Sequence, residues 1–219
     1  MLEQQSNDSQ IRPLRDVWLR PRRVFRELAL KPIGPVDYLL GAAQGIVGVL
    51  ALSQMVNAGA KLQVGEILAM ALTSGTIAGV VSLFFMTAIY TRLSARTGGA
   101  ANRQQVFHVL SYGSVPLAAS LGIWLITALV AGQNTFMKTA QTNTDGFVML
   151  LLQAQFIAHI FLTCWSLLLQ IMGFSEIQGF ATRRAFGFWA LGQLIALVVS
   201  VVLITVITNI FNPGANPGI

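Results

Sequence analysis

Gln155, His159, Thr163, Ser166 and Gln170 recur at intervals of four, four, three and four residues. At about 100° per residue they share one helical stripe roughly 80° wide, while Gln153 and Cys164 point elsewhere. Amides and hydroxyls so arranged can hydrogen-bond neighbouring helices. They can equally line a polar path on which His159 is the titratable element. A second set is cationic. Arg20, Arg22, Arg23 and Arg26 lie close to Trp18 and Phe25, and Arg183 and Arg184 lie near the far end of the chain. Such a set suits anionic lipid headgroups or an acidic protein surface. Cys164 is the single cysteine, which excludes an internal disulfide framework and any multi-cysteine metal site. Its apolar surroundings lead us to expect a buried thiol.

The elements that must position these residues follow from composition. Hydrophobic residues make up 54% of the 219, and charged residues only 10%. Soluble domains carry about 25% charged residues, so a bilayer is the solvent that suits this chain. Five runs reach the roughly 20 apolar residues a membrane helix needs, at about 36–56, 67–90, 106–130, 147–173 and 188–211. The expected fold is an all-α integral membrane bundle. Residues 1–35 form a basic segment with a short amphipathic interfacial helix, and 212–219 a tail on the other side.

Seven Lys and Arg precede the first run, three lie in the second loop and two in the fourth; Lys61 and Lys138 stand alone in the others. Lys- and Arg-rich short loops stay cytoplasmic, so the N-terminus is expected inside and the C-terminus outside, in a bacterial inner membrane. The first run is too long for the core of a cleaved signal and is read as a retained anchor. In the basic segment, Pro21 suits the first turn of a helix and Pro32 ends it. Val24, Phe25 and Leu28 share one face. The expectation is a helix lying on the membrane, with Trp18 as anchor, Phe25 inserted and the arginines facing anionic lipid. The arginines can also serve only to set topology.

Within the runs, Gly41, Gly45 and Gly48 share a face, as do Gly75, Gly79 and Ser82, which predicts close pairing of the first two spans. Gly113 and Pro116 predict a kink in the third. Asp37 and His108 fall at span edges and read as interfacial groups. No phosphate-binding glycine loop, dinucleotide fingerprint or zinc-ligand spacing is present, nor the Gly-flanked serine of hydrolases. The expectation is a protein without catalytic, cofactor or metal sites.

"RPRRVFREL" before the first run, "YGSVP" in the third and "GFSEIQGFATRRAFG" before the last coincide along 14–211. In these features the chain resembles the prokaryotic branch of the YIP (Ypt-interacting protein) family. Pro21, Phe25, Tyr112, Pro116, Arg184 and Ala185 stand at matching positions. Eukaryotic members bind prenylated Rab GTPases, support traffic between endoplasmic reticulum and Golgi and influence membrane shape. This sequence lacks their long N-terminal domain and Asp-Leu-Tyr-Gly-Pro motif ahead of the first span. The resemblance implies a non-enzymatic membrane protein of scaffold type. Its partners would be anionic lipid on the cytoplasmic side, with a peripheral or membrane protein and a homo-oligomer left open, and no nucleic acid. The alternative is a small transporter or channel subunit with its path along the Gln155–Gln170 stripe.

Overall fold

Proline and short polar residues set the helix starts. Pro21 opens α2 (Pro21–Leu28), which follows the single turn α1 (Pro13–Asp16). Pro35 opens α3 (Pro35–Met55), where the Asp37 carboxylate accepts from the Gly34 N–H at 2.9 Å. Asn102 and Gln105 cap α6 (Arg103–Gly113) reciprocally, each backbone N–H donating to the other's side chain at 2.9 Å. Gly98 and Gly179 close α5 (Thr76–Thr97) and α8 (Gly146–Gln178) with φ of +70° and +67°, which favours glycine. The computed structural model describes residues 12–137 and 145–211. The proposed tail and Lys138 lie outside them.

Among the described residues the chain is helical and holds no strand. Five helical stretches are long and apolar enough to cross a membrane: Pro35–Met55, Val64–Thr97, Arg103–Phe136, Gly146–Gln178 and Thr182–Leu203. The last belongs to α9 (Thr182–Phe211). The helices outrun the apolar runs. At 33 residues α8 is about 50 Å long against a hydrocarbon core of about 30 Å. Residues 174–178, read from sequence as connection, are its last turn, and only three residues separate it from α9.

The second span joins α4 (Val64–Met70) to α5 through one π-helical turn, Ala71–Gly75. Six of its buried positions, Ile67, Ala71, Gly75, Gly79, Leu83 and Thr87, are each four apart. Four-residue spacing drifts by about 40° per step on an α-helix, and the wider turn takes up part of that drift. Gly75 and Gly79 thereby stay against α3. A Cβ on Gly79 would lie 2.9 Å from the Gly45 Cα, and one on Gly45 2.5 Å from the Gly79 Cα. The predicted pairing forms through Gly41, Gly45, Gly75 and Gly79, while Gly48 faces open space.

The third span breaks at Ser114, between α6 and α7 (Val115–Ala131). Pro116 has no N–H to donate, and the break opens the backbone there. The core falls in two parts. A large cluster gathers Phe25, Tyr90, Phe107 and Phe174, with Leu28, Val109 and Phe188, at the end where the basic segments lie. A smaller one gathers Val47, Leu50, Ile67, Trp124 and Phe136 toward the other end and draws, among the described residues, on the first three spans and on Ala58 between the first two. Val201, Val202 and Leu203, near the other end of α9, are exposed.

Candidate functional site

The basic segments, some 160 residues apart in sequence, meet at one end of the bundle. Arg22 donates to the Thr182 hydroxyl at 3.2 Å. Arg26 pairs with Glu176 of α8 at 2.7 Å, and Arg23 with Glu27 at 3.0 Å. Arg184 reaches across to the Thr97 carbonyl at 2.7 Å with its guanidinium 4.1 Å from the Phe180 ring centre. Arg20, Arg22, Arg26, Arg183 and Arg184 are exposed, and Arg23 is half-buried.

What the amphipathic pattern of α2 faces differs from the expectation. Val24, Phe25 and Leu28 pack into the protein's own core. Phe25 is 1% exposed and lies against Gly173 of α8, so it does not insert into lipid. The physical reason is the length of α8, whose final turns project beyond the apolar runs and offer a protein surface where sequence alone suggested a bilayer. Trp18 is partly buried on the same cluster. The apolar side chains turned furthest outward are Leu19 and Leu30, 85% and 87% exposed, with Leu14 of α1 about half exposed.

Directly inside this end lies a buried polar group. Asp37 and His108, each 2% exposed, meet with Oδ1 2.8 Å from Nδ1. Ser111 donates to the same carboxylate oxygen at 2.5 Å, and Nε2 of His108 lies 2.9 Å from the Lys31 carbonyl. That carbonyl can only accept, so Nε2 carries a proton. A second proton must lie between Nδ1 and Oδ1, whichever atom owns it. Gln104 also donates to the Lys31 carbonyl. The site therefore clamps the backbone leading from α2 to α3. A buried pair holds in such a setting only when its remaining hydrogen bonds are satisfied, and these are. Sequence reasoning read Asp37 and His108 as interfacial. The available signals were the Gly-Pro-x-Asp start of the span and His and Ser three residues apart on one helical face.

The polar stripe divides into separate tasks. Ser166 accepts the Leu117 N–H at 3.1 Å, supplying the bond that the break at Gly113 and Pro116 takes away. His159 accepts from the Trp124 indole at 3.4 Å. Gln170 accepts from the Trp189 indole at 3.0 Å. Thr163 is exposed and bonds the His159 carbonyl of its own helix. Gln155 is buried, with Oε1 unpartnered among the described residues. Cys164, expected buried, is exposed, because it projects from the side of α8 turned away from the bundle.

Gln170 also opens on a cavity of about 130 Å³ that it shares with Gln44, Ser82, Leu110 and Gln193. These residues come from all five spans. The Tyr90 hydroxyl donates to the Trp189 carbonyl at 2.8 Å. Gln44 and Ser82 have no side-chain partner among the described residues, and water-sized space lies beside them. Among the described residues no group of three or more His, Cys, Asp or Glu side chains could hold a metal.

The family model for the Yip1 domain matches residues 15–211, from within α1 to the end of α9. The chain belongs to the Yip1 domain family. No curated protein and no solved structure matches it. This Yip1-domain protein is an integral membrane protein, as its five apolar helices require. The residues that carried the resemblance have structural places in it. Phe25 and Ala185 are in the core, and Pro116 is at the break.

Proposed function

We propose that this protein is a non-enzymatic membrane-organising scaffold whose basic face, on the cytoplasmic side, holds anionic lipid or a peripheral protein. The observation that carries the reading is the docking of α2. Its apolar face is buried on the bundle and Arg26 is tied to Glu176, so Arg20, Arg22, Arg183 and Arg184 form one preset surface. Each basic residue near an anionic leaflet contributes roughly 1 kcal/mol. Leu19 and Leu30 at its margin supply the insertion first assigned to Phe25.

The test is extraction of the protein with its surrounding lipid in polymer nanodiscs, with and without Arg20, Arg22, Arg23 and Arg26 changed to Gln. The expected result is a lipid shell, or a stoichiometric partner, that is acidic around the native protein and lost from the variant. An identical set of companions in both would overturn the reading.

The shared cavity supports a second reading, a small transporter or channel subunit. Gln44 and Ser82, without a side-chain partner among the described residues, share this cavity with Gln170 and Gln193 between the spans. Changing Gln44 to Leu and Ser82 to Ala together separates the two. A folded variant with lost solute flux favours transport, and unchanged flux favours packing.

A further inference from the structure

Arg92 and Arg96 stand one turn apart on α5 at the basic end, exposed. Neither has a carboxylate or hydrogen-bond partner among the described residues. Like charges four residues apart on a helix repel. Arg26 at this end is answered by Glu176 and Arg184 by a carbonyl and a ring face, whereas Arg20 and Arg183 are, like this pair, without a carboxylate partner among the described residues. The Arg92–Arg96 pair lacks its counter-charge.

From this pair a groove of about 220 Å³ runs between α5 and α9, walled by Phe85, Ile89, Leu93, Ile195 and Val199. The two helices are pinned together nearby, where Tyr90 packs on Gly192 and bonds the Trp189 carbonyl. The groove is therefore preformed. Arg96 and Phe85 are eleven residues apart, about 16 Å of helix. That is close to half of a hydrocarbon core of about 30 Å, the depth of one leaflet.

We propose that this groove binds one anionic phospholipid, its phosphate between Arg92 and Arg96 and an acyl chain along Ile89, Phe85 and Val199. A soluble anion would leave the apolar wall unused. A zwitterionic lipid would leave a net positive charge at the arginines. A helix of a partner protein, about 10 Å across, is too wide for the space. The inference rests on the membrane placement of α5 and α9, not on the scaffold reading, since the arginines of α2 take no part in it.

The test is native mass spectrometry of the full chain in detergent, stripped of loose lipid and then titrated with phosphatidylglycerol or phosphatidylcholine. Three variants accompany it: Arg92→Gln with Arg96→Gln, Val199→Trp, which fills the groove and keeps both charges, and the α2 quadruple Gln variant. The native chain and the α2 variant are expected to retain a single phosphatidylglycerol and to release phosphatidylcholine. The other two variants are expected to lose the phosphatidylglycerol. Retention by both groove variants, or equal retention of the two lipids by the native chain, would overturn the proposal. Loss from the α2 variant alone would do the same. Failure of the scaffold reading would show separately, in an unchanged nanodisc shell around the α2 variant.

Discussion

The basic end and the opposite end of the bundle are built differently. At the basic end the polar side chains close on one another. Asp37, His108 and Ser111 form one group, Ser94 bonds Gln178 at 2.8 Å, and Arg26 bonds Glu176. At the opposite end many hydroxyls bond only their own helix, as Thr73, Ser74 and Thr76 do. Gln155 has an unpartnered oxygen there, as Gln178 Nε2 and the Thr91 hydroxyl are unpartnered at the basic end, and a groove of about 620 Å³ opens between Met55, Met137, Met149 and Phe156. The basic end has the ion pair and the buried acid–histidine group between its helices, and within the described residues the opposite end has fewer such bonds, among them Trp124 to His159 and Thr135 to the Thr127 carbonyl. The end with more of these bonds is the one that carries the arginines, so stability and candidate function sit together.

The change expected to weaken this contrast most is Asp37→Leu. It strands His108 beside an apolar group, and breaking a buried pair in this way costs about 3–5 kcal/mol. Unfolding of the purified protein by denaturing detergent measures it. Changing Asp37 and His108 together to Leu should recover most of the loss, because a buried pair replaced whole by apolar groups is often near neutral.

Next in size is Gly79→Val, which drives a side chain into the α3 backbone and should cost about 1–3 kcal/mol or more by overpacking. Gly48→Val, which meets open space, is the matched control and should shift the same unfolding curve far less.

Ser166→Ala strands the Leu117 N–H, and an unsatisfied buried donor costs about 1–3 kcal/mol. Gln155→Leu removes an unpartnered oxygen and should leave stability unchanged or raise it. If the two stripe residues were equally costly, the division of the stripe into a used part and an unused part would fail.

The spans were legible because a bilayer needs long apolar runs and tolerates little else. The break at Gly113 and Pro116 and the glycine pairing of the first two spans were legible because proline and glycine act through the backbone itself. Partnerships were not. An amphipathic pattern states that Val24, Phe25 and Leu28 are buried, but not by what, and the projecting turns of α8 are hidden in a sequence that reads as loop. Asp37 and His108 looked interfacial because hydropathy places a residue along a span and not in its cross-section. The stripe was visible as a stripe, yet it took the third span's broken backbone to show why Ser166 belongs to it.

The central claim is that α2 is docked on protein, so that the basic face exists before any lipid or partner arrives. Amide hydrogen exchange of residues 21–28 tests it most directly, in nanodiscs of purely zwitterionic lipid and of anionic lipid. The account predicts slow exchange of the Val24 to Leu28 amides in both. Slow exchange only in the anionic nanodiscs would contradict it, because α2 would then be held by the membrane rather than by the bundle.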